Sequence, residues 1–355
     1  MTVRPLEGIR IVDFSRLLPG PAATRFLADF GAEVIKIEPP AGDPARQVPP
    51  FLDDGESALF AEINRGKKSV VADLRNERDR RAVLELAASA DVVMEGFRPG
   101  VMERMGLGYG LLSSRNSRLI YVAITGFGQT GQDARRAGHD INYLALAGAL
   151  DLIGWAAGPL AVPGFQMADI GGALQAVIGT LLALAAREKS GRGQFVDVSM
   201  TNAVASLMML PLTILNATGC SPRRGDERLS GRYGCYGVYE TADGRWVAVG
   251  ALEPKFWAAL CRELDCEPFI ADQFAENGRR EVIRDHLAGV FRSRTAGEWE
   301  EKFRGKDVCV SAVLTLAEAR AYRQDPPLPQ LSGSPAVPGA TSPRLGAHTR
   351  ELLGS

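Results

Sequence analysis

Two short stretches place ionisable side chains where apolar helical patterns begin. In Gly138-His139-Asp140-Ile141-Asn142-Tyr143, the pair His139-Asp140 opens the run Ile141 to Leu150. In Met167-Ala168-Asp169-Ile170-Gly171-Gly172, Asp169 opens the run Ile170 to Ala186. Helix N-termini present unpaired backbone N–H groups and a partial positive charge, so both places suit a developing anion. An imidazole and a carboxyl group facing each other across one small pocket can take a proton from one side of a carbon and return it on the other. The same residues also fit structural roles, with both aspartates as helix caps and His139 as a packed core histidine.

The chemistry sets conditions on both groups. An unperturbed imidazole titrates near pH 6.5, so His139 can give or take a proton near neutrality. An ordinary aspartate is too acidic to carry a proton there. Apolar neighbours of Asp169 (Phe165, Met167, Ile170) would have to raise its pKa by desolvation. The other two histidines, His286 and His348, sit in a surface-type helix and in the C-terminal tail.

The segments that must position these groups alternate between strand and helix patterns. Ile9 to Phe14, Glu33 to Glu38, Ser69 to Asp73, Asp91 to Phe97, Arg118 to Thr125 and Gln194 to Val198 read as strands. Gly20 to Phe30 and Glu77 to Ala88 read as helices, as do 141–150 and 169–187. This alternation predicts βαβ units and an α/β fold, a Rossmann-like large domain with a mainly parallel sheet. Ligands in such sheets bind beyond the carboxyl ends of the strands, where the loops carry Arg16, Glu38, Arg65, Lys67, Lys68, Arg98 and Arg104. No GxGxxG follows the first strand and no Walker sequence occurs, so NAD binding and ATP hydrolysis have no support.

Thr201 to Leu215 is almost uncharged and reads as a helix buried in the core or in a subunit interface. The stretch 219–233 is dense in Arg, Gly and Ser and reads as a linker whose Arg223, Arg224, Arg228 and Arg232 face solvent or a partner subunit. A hairpin turning at Asp243-Gly244 and helical patterns at 254–264, 279–292 and 296–303 predict a small α+β domain. The predicted organisation is a large domain over 1–200, completed by 321–355, then linker 201–230 and small domain 231–320. Pro326 to Pro343 is a proline-rich return.

At 355 residues, with 41 basic and 42 acidic side chains and 46% hydrophobic content, the chain has an ordinary globular balance and no charge field for nucleic acid or membrane. An anionic ligand therefore needs a local basic site. Five cysteines at irregular spacing form no CxxC pair and no zinc pattern, which fits reduced thiols and a cytoplasmic location. No signal-peptide core opens the sequence, and no uncharged apolar run is expected to approach the roughly 18 residues that span a membrane.

Several stretches together resemble the class III CoA-transferase superfamily, the formyl-CoA transferase type. They are Val12-Asp13-Phe14-Ser15-Arg16 with Gly20-Pro21, Leu27 to Glu38 (LADFGAEVIKIE), Asn64-Arg65-Gly66-Lys67-Lys68-Ser69, Asp91 to Arg104 (DVVMEGFRPGVMER) with Gly106-Leu107-Gly108, Thr125 to Gly131 (TGFGQTG) and Gly191-Arg192-Gly193-Gln194. The segments 138–143 (GHDINY) and 249–254 (VGALEP) resemble the α-methylacyl-CoA racemase branch.

The resemblance implies acid/base roles for His139 and Asp169, with Glu253 orienting His139 and Tyr143 hydrogen-bonding toward Asp169. It implies that Arg16, Arg98, Arg104 and the loop carrying Arg65 and Lys67 hold CoA phosphates, with Ala72 and Gly96 lining the adenine and pantetheine path. No tightly bound cofactor is implied; coenzyme A enters as part of an acyl-CoA substrate in lipid metabolism. An interlocked homodimer is also implied. One departure stands out: racemases often carry an arginine just after the second strand, but this chain has Glu38-Pro39-Pro40, which leaves Lys67 or Arg46 to replace it.

An α-proton beside a thioester is a weak acid, and its removal needs a base, a matching acid on the other face and donors for the enolate oxygen. The Asp140 N–H is the candidate enolate donor. Asp169 is equally what a CoA-transferase needs as its nucleophile. His139 is what a transferase does not require. A family member that binds CoA without catalysis would need none of His139, Asp169 and Glu253.

Overall fold

The computed structural model describes residues 4–323 and 329–354. Two compact units emerge: Met1–Leu150 with Val162–Met209 and Pro326–Ser355, and Asp151–Ala161 with Leu210–Asp325. The first unit is built on six parallel strands: β1 (Arg10–Asp13), β2 (Glu33–Glu38), β3 (Lys68–Val71), β4 (Val92–Glu95), β5 (Ile120–Thr125) and β6 (Phe195–Ser199). Their spatial order is β3-β2-β1-β4-β5-β6. The order reverses between β1 and β4, which opens a crevice at the carboxyl ends of the strands.

Both faces of this sheet are covered, so its strands are near-continuous apolar runs; every residue of β5 is buried. Successive side chains go to opposite faces. Ile11, Val34, Val92, Met94 and Val122 join a core with helices Pro19–Asp29 and Met167–Ser190. Val12, Ile35, Val70, Val93 and Tyr121 join another with helix Glu77–Ala88. By length and composition helix Met167–Ser190 could cross a membrane. Its Ala168, Ala173, Ala176 and Ala183 lie instead in the core, and the stretch 170–186 is uncharged over nearly the length that had been discounted.

The outer edge of β3 is closed from far along the chain. His348 N–H donates to the Ser69 carbonyl at 2.9 Å, and Val71 N–H donates to Thr349 Oγ1 at 2.9 Å. Residues 341–353 thus shield an edge that would otherwise present unpaired backbone groups.

The second unit carries an antiparallel sheet of β7 (Tyr236–Glu240), β8 (Trp246–Gly250) and β9 (Val310–Ala312). Helices Pro254–Glu263, Gly278–Phe291 and Ala296–Phe303 bury Trp257, Phe291 and Trp299 against it.

The boundaries correct the expected organisation in three places. Residues 151–161 belong to the second unit, not the first. The supposed linker is docked within that unit: Arg224 donates to the Trp155, Asp151 and Gly158 carbonyls, Arg232 pairs with Asp226 and Glu276, and Arg228 stacks on Phe274. The uncharged stretch 201–215 is two helices, Met200–Leu207 and Met209–Thr218, bent by 71°. Leu207 and Met209 at the break are exposed. Of the return segment, 324–328 lie outside the described residues, and 329–343 form no helix or strand.

Candidate active site

The first turn after β1 is fixed by buried charges. Asp13 accepts from the Ser15 N–H at 2.9 Å, from the Ser15 hydroxyl, from Thr24 Oγ1 at 2.6 Å and from Lys67 Nζ at 3.3 Å. Burial alone would push the Asp13 pKa up, but Lys67, Lys36 and the two hydroxyls outweigh it and hold the carboxyl below its usual range. Lys36, in the middle of β2, donates to the Ser15 carbonyl at 2.8 Å and pairs with Asp43 at 2.7 Å, both side chains fully buried. Asp43 in turn accepts from the N–H of Leu17, whose φ of 61° is unusual for a branched side chain. Gly20 completes the turn, since a Cβ there would lie 2.1 Å from the Ser15 side chain. Arg16 is left exposed over the Phe97 ring, 4.6 Å from its centroid.

Arg16, Phe97 and Met105 are shared by two cavities along the carboxyl edge of the sheet. One, of about 240 Å³, is lined by Ile37, Pro39, Pro40, Ala72 and Leu74 beyond β2 and β3. The other, of about 610 Å³, is lined by Gly96 and Arg98 beyond β4, Thr125 and Gly126 at β5, and Arg136, Gly138 and Tyr143. Arg16 and Arg98 in these walls, and Arg104, which lines neither cavity, are exposed, and none makes an ion pair among the described residues. Burial pushes the Glu95 carboxyl, just below Gly96, up to about 8, so it adds no full negative charge here near neutral pH. The cleft therefore favours an elongated, anionic ligand.

Beside the larger cavity, the two helix starts meet. Asp140 Oδ1 accepts from the Ala168 and Asp169 N–H groups at 2.6 and 3.1 Å, so Asp140 caps helix Met167–Ser190 from the first turn of helix Asp140–Leu146. The Asp169 carboxylate accepts no hydrogen bond among the described residues and is half-buried. Burial and the negative charge of Asp140 push its pKa up to about 6, and nearby His139 pulls it down. His139 is exposed, with Asn142 Oδ1 accepting from its backbone N–H at 3.0 Å. The cap role thus falls to Asp140 alone, and His139 is no packed core histidine. Neither His139 nor Asp169 lines the cavity wall; their neighbours Gly138 and Tyr143 do. The Asp140 N–H has no acceptor among the described residues.

Several expected contacts are different. Tyr143 donates to the Gly138 carbonyl at 2.5 Å, not to Asp169, because the ring lies under Gly126 and Gly138, where a Cβ would sit 2.4 and 2.8 Å from it. Arg65 makes a two-pronged bond to Asp29 at 2.7 and 2.9 Å, which removes it from the cleft. Lys67 is buried on Asp13, Asn64 and the Pro21 carbonyl, and burial drags its pKa down to about 7. Arg46 does not replace the missing arginine: it grips Glu38 with two bonds of 2.8 Å and stacks on Phe60. Phe165 is exposed, leaving Met167 and Ile170 as the apolar neighbours packed near Asp169. Glu253 precedes helix Pro254–Glu263 in the second unit, exposed and without a side-chain cap bond. Sequence reasoning missed the Lys36–Asp43 pair, although a lysine inside the apolar strand Val34 to Ile37 was a visible signal.

Sheet order and side-chain placement together define an α/β protein with a cationic cleft at the switch point and a titratable pair beside it. A family model described as CoA-transferase family III matches residues 6–349. The chain is 36% identical to alpha-methylacyl-CoA racemase of Homo sapiens, across 98% of this chain and 92% of that protein. It is 35% identical to acetyl-CoA:oxalate CoA-transferase of Acetobacter aceti, across 94% and 88%. A CAIB/BAIF family protein from Brucella suis, known from its crystal structure, matches with a TM-score of 0.84 at 31% identity, covering 99% of this chain and 98% of that one. The chain belongs to CoA-transferase family III, whose members include racemases and CoA-transferases.

Proposed function

We propose that this protein is a racemase or epimerase of 2-methylacyl-CoA thioesters, working by 1,1-proton transfer through an enolate. The observation that carries this reading is the pairing of an accessible imidazole with an unbonded carboxyl group of pKa about 6, held at adjoining helix starts by the Asp140 bridge. In the forward direction neutral His139 takes the α-proton, the C–H electron pair moves onto the thioester oxygen, and protonated Asp169 returns a proton to the opposite face. The reverse direction exchanges the roles. The Asp140 N–H is the proposed donor to the enolate oxygen, and Arg16, Arg98 and Arg104 the proposed phosphate contacts. Coenzyme A serves as the substrate's handle, with no resident cofactor. Glu253 is proposed to orient the imidazole of a second subunit in an interlocked homodimer; full activity from a stable monomer in sedimentation would sink that part.

The second reading is a CoA-transferase. There the Asp169 carboxylate attacks the thioester carbonyl and forms a mixed anhydride with loss of CoA thiolate; the thiolate then attacks the Asp169 carbonyl, the anhydride C–O bond breaks, and the donor carboxylate leaves behind an aspartyl-CoA thioester. The near-equal identity to a transferase supports it; the imidazole beside Asp169 does not. One chiral 2-methylacyl-CoA in D2O, with and without succinate, separates the two. Inversion with deuterium uptake and no acceptor supports the racemase. Thioester exchange that requires the acceptor, with the α-proton retained, overturns it.

A further inference from the structure

The small unit contains a pair of thiols that the proposed chemistry does not use. Helix Pro254–Glu263 ends in a left-handed cap, with φ of 54° at Asp265. Cys266 N–H donates to the Cys261 carbonyl at 2.8 Å, and Asp265 N–H donates to the Arg262 carbonyl at 3.3 Å. These are the two crossed bonds of a Schellman motif, whose geometry lays the residue after the left-handed position against the third residue from the helix end. Hydrophobic side chains usually meet there; here both positions are cysteine. Cys261 is 0% and Cys266 3% exposed. The interaction of the Cys261 side chain with Cys266 holds the Cys266 thiol below its ordinary range.

We infer that Cys261 and Cys266 form a reversible intramolecular disulfide site whose oxidant is hydrogen peroxide. The Cys266 thiolate attacks the O–O bond: an S–O bond forms, the O–O bond breaks, and hydroxide leaves as water with the proton Cys266 had shed. The Cys261 sulfur then attacks Cys266: the S–S bond forms, the S–O bond breaks, and the second water carries off the Cys261 proton. Two thiols are oxidised and one peroxide is reduced to two waters. Burial selects for this route, because a local fluctuation wide enough for peroxide need not admit bulky disulfides or alkylating reagents. Exposed Cys220 and Cys309 are open to those larger reagents. The new bond would staple the C-terminal cap of the helix that begins just after Glu253.

The test uses the full chain treated with hydrogen peroxide, then alkylated under denaturing conditions. Trypsin cuts after Arg262 and so separates Cys261 from Cys266. The expected product is the peptides 256–262 and 263–279 joined and lighter by two hydrogens, restored by dithiothreitol, with the unfolding midpoint of the oxidised protein a few degrees higher. Cys261→Ser should abolish both changes and let dimedone, added on denaturation, trap a sulfenic acid on Cys266; Cys266→Ala should leave Cys261 unoxidised and is the control should the first variant fold poorly. Recovery of both peptides alkylated after peroxide, or their linkage to Cys220, Cys235 or Cys309 instead, overturns the inference.

Discussion

The two ends of the cleft are built on opposite principles. Around the turn after β1, Asp13, Lys36, Asp43, Glu38 and Arg46 are interlocked, with the Lys36–Asp43 pair fully buried, and together they hold the turn bearing Arg16. At the two helix starts, His139 is exposed and Asp169 accepts no hydrogen bond among the described residues. Buried charge pairs fix geometry because either partner alone would be stranded in a low-dielectric interior. Groups that must change protonation cannot be so tightly bound, since every bond to one form opposes the other. Rigidity is thus concentrated around the Arg16 turn, and bonding is sparse at the pair proposed to move a proton.

The sharpest way to break this contrast is at the sparse end. His139→Ala or Asp169→Asn should lower the rate of α-proton exchange into D2O by about 10²–10⁴-fold while leaving the thermal midpoint nearly unchanged; exchange at the original rate on both faces would remove the two-base scheme. At the rigid end the effect should be on stability. Lys36→Met strands Asp43 and should cost about 3–5 kcal/mol in urea unfolding. The double variant Lys36→Met/Asp43→Leu should recover most of that, and failure to recover would mean the pair is not the unit that fixes the turn.

Arg98→Ala comes next. Loss of a charge-assisted contact of about 1.5–3 kcal/mol should raise KM for full-length acyl-CoA tenfold or more with little change in kcat. An equal rise with pantetheine-only substrates would argue against a phosphate role. The smallest expected effect is in pH. Asp140 is one of the two causes that raise the Asp169 pKa to about 6. Asp140→Asn keeps an oxygen to cap the helix but removes the negative charge, so the Asp169 pKa should fall. A one-proton His139–Asp169 pair gives a bell-shaped profile whose acid limb should then move to lower pH. A rate that simply rises through about pH 6 and levels off is the signature of Asp169 as a transferase nucleophile.

Much of the sheet was legible because parallel strands buried on both faces read as unbroken apolar runs, and Glu33–Glu38 matches its predicted bounds. β9 was not, since Val310-Ser311-Ala312 is too short to carry a period. The break between Met200–Leu207 and Met209–Thr218 was hidden because Pro211 falls in the first turn of the second helix, where proline is tolerated. The basic loop 64–68 misled for a different reason. Its charge count was visible, but the partners that neutralise it, Asp29 and Asp13, lie 36 and 54 positions from Arg65 and Lys67 in the chain. Conversely, the histidine–aspartate pair could be singled out because both residues open apolar helical runs, although no pattern could say that Asp140 would bridge them.

The sealing of β3 has a kinetic corollary. Its outer hydrogen-bond partner, Thr349, lies 278 residues beyond Val71. During synthesis, everything between must emerge from the ribosome before that flank can close, and until then a sticky strand margin stays available to other nascent chains. Late capture of this margin makes residues 341–353 the last stitch in maturation, and their loss should show first as aggregation of newly made chains rather than as a defect in catalysis by those that survive.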